Sequence, residues 1–502
     1  MRFKRHIMAG AAVSVLLAFA AGPVLAQAQQ QPPIVAQGGD GPIELPTLLN
    51  AAREPGEDAG AIAQQYGNQM HMGIHYAGIL PWVVDDLPDV FDLDTYDYVM
   101  EEYFISGNAG GAPYSTRFVV LRPENPANFS GMMLIETQHP GAGIFQTMSY
   151  SRVGGMQAGH MYVGVTNTNA QLGGGTHAAG VNAPRYAGLN IEGGNLAQNP
   201  IIAQVAALMQ ENNPLGEEWV PEWVVMTGAS ATSATASNFM IQPNGNTDPA
   251  NALSDGSRPV DAMFIWDNAG YTLAEGGDLN PANLAGPLEG VPTIVLATQS
   301  EWDTAEYTAA NQAQRAPDSE TYRLFQVPGM SHIGNRYASD AWNCEIQPEN
   351  RFMGEAHVYL GVKKIYDWLA NGEDPGYARV EFNDSGFVTD EHGNAVGGVR
   401  SPQIDVPVAQ YVTPNGGGLT CGLSGYNVYF DDAELADLYP GGRTDYARQF
   451  WASTLDLIEA GWFPYEYLWD AAAEVEGFGE VWVNPTVNPD YVAPPPPPAP
   501  AG

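Results

Sequence analysis

Along the middle of the chain, short runs rich in apolar residues recur, bounded by Gly, Pro and Asn. They are Tyr98 to Ile105, Thr116 to Leu121, Met132 to Glu136, Met161 to Val165, Trp223 to Met226, Ala262 to Trp266, Thr293 to Ala297 and Tyr322 to Val327. A strand apolar at successive positions, and not only at alternate ones, is covered on both faces, as strands of parallel sheets are. Between the later runs the spacing turns helical, over Pro200 to Gln210 and Thr304 to Gln314. Strands alternating with helices predict the α/β class, with a mainly parallel sheet flanked by helices.

A further helix is predicted from Arg351 to Ala370, with Val358, Val362, Ile365 and Leu369 on one stripe and Gly372 and Pro375 to stop it. Beyond it the texture changes. Residues 376 to 412 predict β-hairpin material around Asp390-Glu391-His392-Gly393-Asn394, and 431 to 462 predict two helices parted by Pro440-Gly441-Gly442. The expected organisation is a core over 45–375 and a C-terminal extension over 376–490 packed on it. No internal repeat is evident.

The first 26 residues carry Arg2, Lys4 and Arg5, an apolar stretch from Ile7 to Ala21, and the exit Val24-Leu25-Ala26. That order predicts a secretory signal peptide and a periplasmic or extracellular protein. A Gln- and Pro-rich leader over 27–44 and a proline-dominated tail over 491–502 complete the plan. No later stretch approaches the roughly 20 apolar residues of a transmembrane helix, so no membrane span is expected after signal cleavage. The formal net charge is -38, from 19 Lys and Arg against 57 Asp and Glu. Such a surface repels nucleic acid and anionic membranes, which argues against both as partners. Cys344 and Cys421 are the two cysteines; in an oxidising compartment an even pair predicts one disulfide.

Chemistry concentrates where the apolar runs end. Glu222-Trp-Val-Val-Met-Thr-Gly-Ala-Ser-Ala-Thr232 places Ser230 directly after a strand, in the pattern Gly228-Ala229-Ser230-Ala231-Thr232. This is the form of a nucleophile elbow, a strand-to-helix turn sharp enough to require small neighbours. Gly228 meets that requirement, whereas Thr232 stands where Gly is usual. The Ala231 amide, first of the new helix, is the natural oxyanion donor. Ser233 and Ser237 lie nearby but not at the elbow.

Downstream, Val291 to Asp303 is a strand ending in Glu301 and Asp303, and Arg323 to His332 is a strand ending in a Gly-containing loop with one His. Ser, acid, His is the chain order of the α/β-hydrolase triad. In that arrangement Ser230 attacks, His332 takes and returns its proton, and the acid orients the imidazole and stabilises its charged form. Asp303 is the first choice for the acid and Glu301 the alternative; Asp267, after the preceding strand, is more distant. A second oxyanion donor is expected from the loop His139-Pro-Gly-Ala-Gly143, where His139 is the candidate.

On these residues the chain resembles the bacterial α/β-hydrolase domain proteins that carry the fold with a C-terminal extension. The resemblance runs through Glu102-Tyr-Phe-Ile-Ser-Gly107, Pro113-Tyr-Ser-Thr-Arg117, the segment at Ser230, Ser300-Glu-Trp-Asp303, Gly329-Met-Ser-His332, Asp390 to Arg400 and Cys421-Gly-Leu-Ser-Gly425. It implies an α/β-hydrolase fold and a Ser-acid-His mechanism, with an ester substrate and no cofactor. Ala231-Thr232 and His139 depart from the family's usual residues and bear on pocket shape.

Three other readings compete. His71 and His75 have the four-residue spacing of a zinc-binding helix, but no Glu follows the first His and Gly73 weakens the helix, so no metal is expected. A non-catalytic binding protein could keep the same fold. A serine peptidase would use the same acyl-enzyme chemistry as a carboxylic ester hydrolase. The strong negative charge and the abundant Tyr and Trp favour uncharged or aromatic acyl esters.

Overall fold

The computed structural model describes residues 43–49, 93–140, 145–173, 186, 188–267, 290–302, 317–334, 344–346, 352–417 and 419–482. The signal segment, nearly all of the leader, the tail, His71, His75, Asp303 and the helix expected over Thr304 to Gln314 lie outside them.

All eight apolar runs are strands. With two short additions, β1 and β6, the strands of the main sheet in chain order are β1 (Thr47–Leu48), β2 (Tyr98–Ala109), β3 (Ala112–Pro123), β4 (Met132–Thr137), β5 (Met161–Val165), β6 (Asn190–Ile191), β7 (Trp223–Ala229), β8 (Ala262–Trp266), β9 (Thr293–Thr298) and β10 (Tyr322–Val327). They form one sheet in the order β1-β2-β3-β5-β4-β7-β8-β9-β10, with β6 pairing on β3. From β5 through β10 every neighbouring pair is parallel, while β1, β2 and β3 join antiparallel at one end.

The period-two geometry of a strand explains the continuous apolar runs. On β8, Ala262, Phe264 and Trp266 enter one buried cluster while Met263 and Ile265 enter the other. On β9, Ile294 and Leu296 part from Val295 and Ala297 in the same way. Two cores, one on each face, need apolar residues at every position. Each fully buried Val, Leu, Ile or Phe contributes about 1.5–3 kcal/mol of burial free energy.

Helices cover both faces: α1 (Gln146–Ala158), α2 (Gln198–Glu211), α3 (Ala231–Ile241), the short α4 (Gln299–Trp302), α5 (Gly354–Asn371), α6 (Asp432–Leu438), α7 (Arg443–Glu459) and α8 (Leu468–Trp482). α2 and α3 supply one core with Ile201, Ile202, Val205, Leu208 and Phe239. α1 and α5 supply the other. Gly154 lets these two approach closely, since a Cβ there would stand 2.3 Å from the Tyr359 ring.

The extension shares that second core. Ile404, Val408, Tyr411, Phe430, Tyr446 and Phe450 belong to one buried cluster with Phe325 and Val327 of β10. Its hairpin material pairs β11 (Phe382–Asn383) with β12 (Gly386–Phe387) and closes again around Asp390 to Asn394, where Thr389 bridges Ala395 antiparallel. Asp390 to Asn394 form the tight turn of that bridge, in which Asp390 Oδ1 accepts from the amides of His392 and Asn394. The two helices expected over 431–462 are α6 and α7. β13 (Ala409–Val412) pairs antiparallel with β14 (Tyr426–Tyr429), and Cys344 is joined to Cys421 by the expected disulfide.

Candidate active site

Four neighbouring parallel strands, β7, β8, β9 and β10, each release a polar residue at or just past their C-terminal ends: Ser230, Asp267, Glu301 and His332. Open parallel sheets gather their ligand sites at that edge.

Ser230 sits between β7 and α3 at φ 51° and ψ -122°, a backbone conformation that costs a non-glycine residue on the order of 1–3 kcal/mol. Its amide donates to the Trp266 carbonyl at 3.3 Å. The turn is so tight that a Cβ on Gly228 would lie 2.4 Å from the Thr232 carbonyl oxygen. Thr232, unusual at its position, does not crowd the elbow. Its hydroxyl is folded back onto Ala229, accepting from the amide at 2.9 Å and donating to the carbonyl at 2.8 Å. Ser233 donates its hydroxyl to the Ser230 carbonyl, and Ser237 is fully buried. Ala231, as the first residue of α3, has an N–H with no carbonyl in the preceding turn to receive it.

His332 is 10 % exposed at its side chain, and its Nδ1 is 2.7 Å from Glu301 Oε1. Of the two carboxylates that the sequence offers, Glu301 meets the ring, and Asp303 lies outside the described residues. The other Glu301 oxygen accepts from the Thr298 amide at 2.7 Å and from the Thr298 hydroxyl. The two loops are laced together besides: the Gln299 amide donates to the Met330 carbonyl, Gly329 N–H to Gln299 Oε1, and His332 N–H to Ser300 Oγ.

Asp267 is 4 % exposed and its Oδ2 lies 3.8 Å from His332 Nε2. Burial disfavours the charged ring of His332, but Asp267 and then Glu301 outweigh it and push the imidazole pKa up to about 9. The Asp267 carboxyl is itself held well above the usual range, chiefly by burial. Donor atoms of Asp267, Glu301 and His332 lie within 4.8 Å of one another.

His139 leaves β4 two residues past its end and is partly exposed, while Gly141 to Gly143 lie outside the described residues. Beneath this exit, buried Glu136 accepts from the amides of Thr147 and Met148 at the N-terminus of α1. Burial pushes its carboxyl up to about 7. The Thr147 hydroxyl accepts from Trp266 Nε1 at 3.1 Å, which links the α1 terminus to the strand end that holds Ser230. The sequence reading passed over Glu136, because nothing short of the fold places a strand-end carboxylate under a helix terminus.

A family model described as alpha/beta hydrolase domain matches residues 67–472. The chain belongs to that family. No curated protein matches it. Among solved structures, this α/β hydrolase is similar to a cold-adapted esterase from an Arctic intertidal metagenomic library at 12% identity and TM-score 0.26, covering 45% of this chain and 84% of that one. Brefeldin A esterase, a bacterial homologue of human hormone sensitive lipase, matches at 15% identity and TM-score 0.27, covering 49% and 72%. A carboxylesterase from Lactobacillus plantarum matches at 14% identity and TM-score 0.27, covering 45% and 88%.

The hydrolase's extension reaches the site in a way the sequence did not announce. Ile333 N–H donates to the Leu423 carbonyl at 2.7 Å, and Cys421 in the same stretch bonds Cys344.

Proposed function

We propose that this α/β hydrolase is an exported serine hydrolase that cleaves carboxylic esters through an acyl-enzyme intermediate. Ser230 is the nucleophile, His332 the general base and then acid, and Glu301 the carboxylate that fixes the ring. The 2.7 Å contact between His332 Nδ1 and Glu301 Oε1 carries the reading, because it leaves Nε2 as the nitrogen free to take the Ser230 proton. The Ala231 amide and a second donor from the His139 loop receive the oxyanion. Export is supported by the basic-then-apolar N-terminal pattern and by the Cys344–Cys421 bond, which suits an oxidising compartment.

No helix among the described residues is long and apolar enough to cross a membrane. With a formal charge of -38, anionic substrates are repelled, and uncharged or aromatic acyl esters are expected to react best.

A fluorophosphonate probe tests the mechanism. Labelling of Ser230 in the wild type, and its loss together with several orders of magnitude of ester turnover in Ser230→Ala, is the expected result. Unlabelled but folded wild type would sink the proposal. A substrate panel in which peptides or anionic esters turn over fastest would overturn the substrate class.

A further inference from the structure

Asp267 is the acidic residue beside His332 that the triad does not use. It is 4 % exposed, its backbone is at φ 49°, and neither carboxylate oxygen makes a hydrogen bond of good geometry among the described residues, the neighbouring Thr298 hydroxyl being donated to Glu301. Burying a carboxylate without hydrogen bonds opposes folding, so its placement asks for a compensating role. Its Oδ2 lies 3.8 Å from Nε2 of His332, while Glu301 takes Nδ1. We propose that Asp267 is a second carboxylate partner of His332, a positioning residue that shares with Glu301 the stabilisation of the imidazolium formed during turnover. This rests on the serine-hydrolase reading above.

The topology explains how two carboxylates reach one ring. β8 lies between β7 and β9, so the residue after β8 is wedged between those carrying Ser230 and Glu301. The Ser230 amide donates to the carbonyl of Trp266, the neighbour of Asp267, which ties the second carboxylate to the elbow. In acylation the Ser230 Oγ–H bond breaks and its proton passes to Nε2 as Oγ bonds the acyl carbon. The proton then passes from Nε2 to the alcohol oxygen as the ester C–O bond breaks. Deacylation repeats the cycle with water in place of Ser230. Between the transfers the ring is a cation, and Asp267 and Glu301 are the titratable groups among the described residues that face it; burial raises the Asp267 carboxyl, while the imidazolium beside it favours its charged form. Removing either negative charge makes that cation easier to deprotonate.

The test uses the purified full chain, a neutral nitrophenyl ester, and kcat and KM from pH 5 to pH 10. Asp267→Asn and Asp267→Gly both tolerate a positive φ, so the backbone is preserved. In both, the acidic limb of kcat/KM is expected to move down by roughly one pH unit, with kcat falling and KM nearly unchanged. In a Glu301→Gln background, Asp267→Asn is expected to cost at least about tenfold more than it does alone, because the ring then has no carboxylate left.

Glu301→Gln by itself gives a reading that needs no change at Asp267. Its acidic limb should stay above the ordinary imidazole value of about 6.5. A limb at or below that value, an unmoved limb in both folded Asp267 variants, or equal factors in the two backgrounds overturns the inference alone. Ester turnover surviving in Ser230→Ala overturns the serine reading and this inference with it.

Discussion

The hydroxyls of Ser300 and Thr413 share a hydrogen bond of 2.6 Å across 113 residues of sequence. Ser300 Oγ also accepts from the His332 amide at 3.0 Å. A residue of the C-terminal extension thus steadies, through one side chain, both the turn that carries Glu301 and the loop that carries His332. Thr413 is fully buried, so nothing in solvent can replace it.

Thr413→Val keeps the shape and removes the hydroxyl. The expected loss is about 1 kcal/mol of stability and several-fold in kcat/KM, read by thermal melting and ester kinetics. A melting shift with unchanged kinetics would show that the contact braces the fold but not the site.

The pH profile of the wild type follows from the charge around His332. A general base works only when neutral, and the imidazole pKa is pushed up to about 9 by Asp267 and Glu301 against the opposing effect of burial. Activity is therefore expected to rise with pH through neutrality and to level off only above about 9. A pH-stat assay between pH 6 and pH 10 reads this directly, and a plateau already reached at pH 7 would contradict it.

The disulfide closes a loop between positions 77 residues apart. In the chain-entropy account a bridge of that span contributes about 4 kcal/mol by restricting the unfolded chain. Replacing Cys344 and Cys421 together by Ala should lower the melting temperature by many degrees. Activity should fall too at temperatures below the new melting point, since Cys421 anchors the stretch whose Leu423 carbonyl receives the amide beside His332.

Glu102 and Arg117 face each other at 2.6 Å, each side chain about 1 % exposed, and Tyr186 donates its hydroxyl to the same Glu102 oxygen. Glu102→Gln would leave the guanidinium buried with no counter-charge, at a cost of about 3–5 kcal/mol. Denaturant unfolding of the single variant against Glu102→Gln/Arg117→Met measures it; the double variant should recover much of the loss.

Acid lability is expected from two buried histidines. Burial lowers His160 to about 3 and His357 to about 4, below the unfolded value of about 6.5. Their contribution is present in full above pH 6.5 and is lost as pH falls toward those folded values, because the unfolded chain binds the extra protons. Each group steepens the fall by up to about 1.4 kcal/mol per pH unit. His160→Gln should flatten the dependence of unfolding free energy on pH between 6.5 and 4, and an unchanged slope would place the acid sensitivity elsewhere.

The sequence by itself determined the strands, the sharp turn at Ser230 and the chain order of Ser230, Glu301 and His332. Short apolar runs without alternation, rich in β-branched and aromatic residues and bounded by turn residues, mark strands covered on both faces. A Gly two places before a Ser at a strand end marks a turn that admits no larger side chain, as the 2.4 Å approach at Gly228 confirms. These are local properties, written in neighbouring residues. What the tertiary structure decided was non-local or angular. That Glu301 meets the ring depends on α4 starting at once after β9 and on the loop after β10 being bonded to it, placements that no composition of the loop announces. Asp267 could be weighed only once β8 was seen to lie between the strands of Ser230 and Glu301. Thr413 and Leu423 entered because chain far away in sequence folds back on β10 to bury a second core, and side chains that meet for that reason leave no pattern in the linear order.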